Sequence, residues 1–108
     1  MFDSIQLCVD KARGQYNIPV VIPSGPAVQM LRGTWLNTEK DLTRDGFHMS
    51  YREGRYATAC VWFEALIKPT LGISVKGNAF RNSGENEVND KEAKLMQKIA
   101  IKAVKQAK

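Results

Sequence analysis

The chain has 108 residues, 44% of them hydrophobic and 25% charged, with a formal net charge of +5. That length supports one small domain burying roughly 60–70% of its unfolded surface, and the charge mixture speaks against disorder. No apolar run approaches the ~20 residues of a membrane span. Met1-Phe2-Asp3-Ser4 lacks the basic, apolar and small-residue blocks of a secretory signal, which leaves the compartment open, including secretion of a longer parent.

The first predicted element is an amphipathic helix. Asp3 is its expected N-cap, Ile5, Cys8 or Val9, Ala12 and Tyr16 mark one face, and Gly14 is expected to end it. Ile18-Pro19-Val20-Val21-Ile22-Pro23 follows, a short apolar, β-branched run between prolines. It reads as a buried strand of the parallel-sheet kind, and a helix feeding such a strand is half of a β–α–β unit. Ser24-Gly25-Pro26 predicts a turn, with Pro26 opening a short helix that runs through Leu31 to a stop at Gly33. Residues 37–44 read as loop or a single helical turn.

Next comes Asp45-Gly46-Phe47-His48, a turn that sets the only histidine three residues after a carboxylate. An imidazole exchanges protons near neutral pH, and an adjacent carboxylate can fix its tautomer and stabilise its charged form. Asp45 and His48 are therefore the candidate catalytic pair. Ser50-Tyr51-Arg52-Glu53 has the spacing of a capping box and predicts a helix to about Ile67, closed by Pro69. That helix is apolar on nearly all sides, which predicts cover on more than one face. A polar loop over 70–89 and a second box-like cap, Asn89 with Glu92, lead to a final helix from Lys91 to Lys108.

Function classes narrow from the same residues. Cys8 and Cys60 lie far apart among apolar neighbours, which predicts two buried free thiols, and with one histidine no zinc ligand set exists. Lys91, Lys94, Lys98, Lys102, Lys105 and Lys108 recur along one side of the last helix, opposite Leu95, Met96, Ile99, Ala103 and Val104. A solvated polar face accounts for them, and the aromatic and arginine clustering of a nucleic-acid surface is missing. Neither nucleic acid nor membrane is expected as a partner. Among the serines, Ser24 ends the strand but lacks a nucleophile-elbow context, Ser50 suits a cap, and Ser4, Ser74 and Ser83 have no supporting neighbours. Trp35 and Tyr51 flank the histidine turn and read as loop packing or as walls of a sugar-binding cleft.

One strand cannot satisfy its own backbone groups. More sheet upstream of Met1, pairing with another copy, or a mainly helical rearrangement would each resolve this, and the first is favoured for the parent architecture. The residues that bear on it are Val20–Ile22 with Pro23, then Asp45–His48, then Gly54 and Tyr56, and finally Ala59-Cys60-Val61-Trp62-Phe63-Glu64-Ala65-Leu66. In these the chain resembles the C-terminal part of the SGNH (GDSL-like) hydrolase superfamily, closest to an uncharacterised gut-bacterial branch. The resemblance implies an α/β class, with residues 1–108 as the incomplete C-terminal portion of a flavodoxin-like three-layer fold. In this portion the fold would be mostly helical with one short parallel-type strand. It also implies ester hydrolysis, often deacylation of carbohydrates, without metal or other cofactor. His48 would be the general base and Asp45 its orienting partner. The family's nucleophilic serine block and both oxyanion blocks have no match in these residues, so the chain alone is expected to be inactive. A non-catalytic, self-associating helical domain is the alternative.

Overall fold

The computed structural model describes residues 2–39, 42–43, 48–82 and 84–107. The described residues form five α-helices: α1 (Phe2–Tyr16), α2 (Ser24–Arg32), α3 (Trp35–Glu39), α4 (Glu53–Leu71) and α5 (Asp90–Ala107). A short 3-10 turn, Gly84–Asn86, interrupts the connector between the last two. The helices form a slab of 43 × 34 × 20 Å, about two helix diameters thick.

The core is the meeting of α4 with α5, closed on one side by α2. Ala57, Cys60 and Val61 of α4 meet Ala93, Met96, Ala100 and Ala103 of α5, with Ala27, Leu31 and Leu36 packed in from α2 and α3. Small residues along α5 let the backbones approach closely. Their i, i+3, i+7, i+10 spacing places them on one stripe, with Lys94, Lys98 and Lys102 exposed on the other side. The Asn89–Glu92 cap forms in full. Asn89 N–H donates to Glu92 Oε1 at 3.0 Å, and Glu92 N–H donates to Asn89 Oδ1 at 2.8 Å.

The expected α/β fold is not what forms. Among the described residues there is no sheet and no strand, only an isolated antiparallel bridge between Thr43 and Met49. The apolar run 18–22 is irregular, turned at Asn17 with φ 53°, and Val20 is 53% exposed. The physical reason is pairing. A strand is made by its neighbour's hydrogen bonds, and Val20–Ile22 has no neighbour here to supply them. A flavodoxin-like portion with a parallel-type strand is thereby replaced by a helical slab.

Other boundaries move for local reasons. α2 starts at Ser24, because the first turn of a helix leaves its N–H groups unbonded and so tolerates Pro26 there. α4 runs past Pro69 to Leu71, since a proline in the last turn costs only one ladder bond. It ends at Gly72, whose left-handed φ of 73° turns the backbone so that its N–H caps the Lys68 carbonyl at 2.8 Å. α1 carries its apolar stripe but buries no residue, and Cys8 is exposed while Cys60 is buried. Burial pushes the Cys60 thiol up to about 11, which keeps it protonated and unreactive.

The connector 72–89 has almost no regular structure and is held by side chains. Glu64, 1% exposed in the middle of α4, accepts the Val75 N–H at 2.8 Å and the Ser74 hydroxyl at 3.0 Å, and pairs with Lys68 at 3.1 Å. Burial alone would raise its pKa. The Val75 bond, the Lys68 ammonium and the Ser74 hydroxyl outweigh that and hold the carboxyl below its ordinary value. A depressed carboxylate adds stability in full above its unfolded pKa and loses it as pH falls through the lower folded value. Glu64→Ala should therefore cost about 2–3 kcal/mol at neutral pH, by orphaning the buried Val75 N–H. Urea unfolding at neutral pH and again well below pH 4.5 checks this. The gap between parent and variant must narrow in acid, and an equal gap at both would exclude the charged form as the source.

Candidate functional site

His48 sits where the chain returns to the slab just before α4. The bridge between Thr43 and Met49 closes the neck of the loop, and Ser50 N–H donates to the Leu42 carbonyl at 2.9 Å just inside it. Leu42 is fully buried and roots the neck in the core. His48 itself is exposed. Asp45, with Gly46 and Phe47, lies outside the described residues, so the expected Asp45–His48 pairing is located only through its histidine.

The neck is seated on the first turn of α4. The Ser50–Glu53 box does not close as its spacing suggests. Ser50 Oγ instead accepts the Gly54 N–H at 2.8 Å, the Ser50 carbonyl accepts the Arg55 N–H at 3.1 Å, and Glu53 turns to Arg52 at 2.9 Å. Gly54 makes this seat possible. A Cβ at that position would lie 2.6 Å from the Leu42 carbonyl oxygen and 3.1 Å from Met49 Cβ and Sδ, so only a residue without one lets the neck and helix touch. A glycine in a helix costs about 1 kcal/mol against alanine, which is the one sequence signal that a packing reason was needed.

Arg52 ties the site to the rest of the molecule. Its Nε donates to the Glu87 carbonyl at 2.8 Å, and its NH2 group meets Glu92 at 3.0 Å, so its charge is balanced by two buried carboxylates. Asn82 Nδ2 donates to the Arg52 carbonyl at 2.9 Å from the far side of the connector. Arg55 lies over the exposed Tyr51 ring, 4.3 Å from its centroid. Sequence reasoning missed that pair, although an aromatic and an arginine at i, i+4 can stack across a helix start. Trp35, at the start of α3, has the Lys91 ammonium 4.6 Å from its ring centroid.

The serines give no nucleophile beside His48. Ser50 and Ser74 spend their hydroxyls on Gly54 and Glu64 as above, Ser4 is on the exposed side of α1, and Ser83 is outside the described residues. Ser24 opens α2, a different part of the slab from the loop neck. A cavity of ≈ 630 Å³ lies under α1, between it, Val21–Pro23, α2 and the end of α5, and His48 is not among its walls. Among the described residues no group of three or more His, Cys, Asp or Glu could hold a metal ion, and no helix is long and apolar enough to cross a membrane.

No curated protein and no solved structure matches the chain. The profile of a family described as Domain of unknown function (DUF4886) matches residues 1–103, from the first helix to the last turns of α5. With nearly its whole length inside that match, the chain belongs to the DUF4886 family.

Proposed function

We propose that these residues carry the acid–base half of an SGNH-like serine esterase, with His48 as general base and Asp45 as its orienting carboxylate. The observation that carries the reading is the placement of an exposed His48, three residues after Asp45, beside the Thr43–Met49 bridge. A solvent-facing imidazole can take the proton from a serine hydroxyl as its oxygen attacks an ester carbonyl. It then returns that proton to the departing alcohol, and a water repeats the cycle to release the acid. The serine is supplied by polypeptide beyond these residues, since the SGNH family's serine block has no match in them. Small esters and acylated carbohydrates are the substrate class, and the chemistry needs no cofactor. The test is turnover of an aryl acetate by the natural gene product that bears these residues, together with labelling of its serine by a fluorophosphonate. Absence of both would sink the reading.

A second reading, a self-associating helical domain, is favoured by the surface. The chain exposes 7245 Å², about a fifth more than the roughly 6,000 Å² of a compact monomer of this mass. Ile5 is 52% exposed on α1, and Ile18 and Val20 are exposed in the segment that follows that helix. Sedimentation equilibrium of the chain separates the cases. A discrete dimer that Ile5→Glu dissociates supports self-association, whereas a monomer at every concentration or open-ended aggregation removes it.

A further inference from the structure

We propose that Arg55, stacked on Tyr51 beside the His48 neck, is a specificity residue that selects esters bearing a carboxylate; the inference rests on the hydrolase reading above. Three observations converge. First, the guanidinium is held in place: it lies 4.3 Å from the Tyr51 ring centroid, and the Tyr51–Arg52 turn is itself fixed by Asn82. A stacked guanidinium has already given up much of its rotamer freedom, so less is lost when it forks onto a planar anion. Second, its charge is unspent. Arg52 is matched by Glu53 and Glu92 and Arg81 by Asp90, but among the described residues no carboxylate lies within ion-pair distance of the exposed Arg55.

Third, it is near the proposed base. Arg55 N–H bonds to the Ser50 carbonyl at 3.1 Å, and Ser50 is two residues from His48. Two extended residues add at most ~7 Å, which bounds the two α-carbons to within roughly 14 Å. The arginine and histidine side chains each reach several ångströms from their α-carbons, so with both turned into that interval an ester with a carboxylate a few bonds from its reacting carbonyl has to span only what remains of it. Carboxylate is the chemistry that a guanidinium reads best, through two parallel N–H···O bonds.

The experiment uses the natural gene product with two size-matched esters, 4-nitrophenyl hydrogen glutarate and neutral 4-nitrophenyl valerate. The parent should prefer the glutarate hemiester. Arg55→Gln should cut the glutarate-to-valerate ratio of kcat/KM by roughly 10- to 100-fold, mainly through KM for the hemiester. Arg55→Lys, which keeps the charge without the planar fork, should fall between. A ratio that Arg55→Gln leaves unmoved overturns the proposal, as does an equal loss on both esters, which marks a merely structural residue. No turnover of either ester by the parent removes the hydrolase reading itself, and this proposal with it.

Discussion

His48→Ala is expected to lower kcat for an aryl acetate by about 10,000-fold or more in the natural gene product, with the melting temperature nearly unchanged. The size follows from the way triad members act as a unit. Without the base the serine hydroxyl keeps its proton, and what remains is binding and any stabilisation of the developing oxyanion. The small change expected in stability follows from exposure, since an exposed side chain contributes no buried core surface. Asp45→Asn should bring a comparable loss, because an amide at that position favours the wrong imidazole tautomer. Rates in the His48 variant equal to the parent's would remove the imidazole from the mechanism.

Gly54→Ala should destabilise the protein through a clash with the backbone of the neck. The added methyl would sit 2.6 Å from the Leu42 carbonyl oxygen, a backbone atom that cannot swing aside and that already accepts the Ser50 N–H. Relief requires the neck to lift from α4, which strains the Ser50 hydroxyl bond to Gly54 and the bridge between Thr43 and Met49. Overpacking of this kind costs roughly 1–3 kcal/mol, against about 1 kcal/mol returned by alanine's helix preference. The net loss should be about 1 kcal/mol, a fall of roughly 5 °C in Tm for a domain of this size. Calorimetry of the two proteins decides it. An alanine variant as stable as the parent would mean that the neck is not seated where these distances place it.

How much could be read beforehand depended on where each element finds its partners. α5 and its Asn89–Glu92 cap were legible because cap, stripe and lysine face are all local in sequence. α4 was legible for the same reason, apart from its end and its Ser50–Glu53 cap, whose side chains bond to Gly54 and Arg52 instead. The run at 18–22 was misread as a strand because β-branching and proline flanks describe a candidate, while pairing decides the outcome. α1 shows the converse: its periodicity is helical and correct, yet amphipathicity cannot say that the opposing surface is present. At the site, the position of His48 just ahead of α4 was visible. The Gly54 seat and the Arg55 stack depend on how the neck lies over the helix, and no spacing rule reports that. The family match is silent on chemistry.

The connector between α4 and α5 has a consequence for the order of assembly. Its moorings come from both helices at once: Glu64 of α4 holds Val75, while Gln97 of α5 takes the Gly77 N–H at 3.0 Å and donates to the Tyr56 hydroxyl at 3.0 Å. Neither helix alone presents the full set. The strap must therefore settle late, once the pair has docked, and come undone early when the pair loosens. Proteases nicking the native chain would find their first purchase there, ahead of any cut inside the helices it joins.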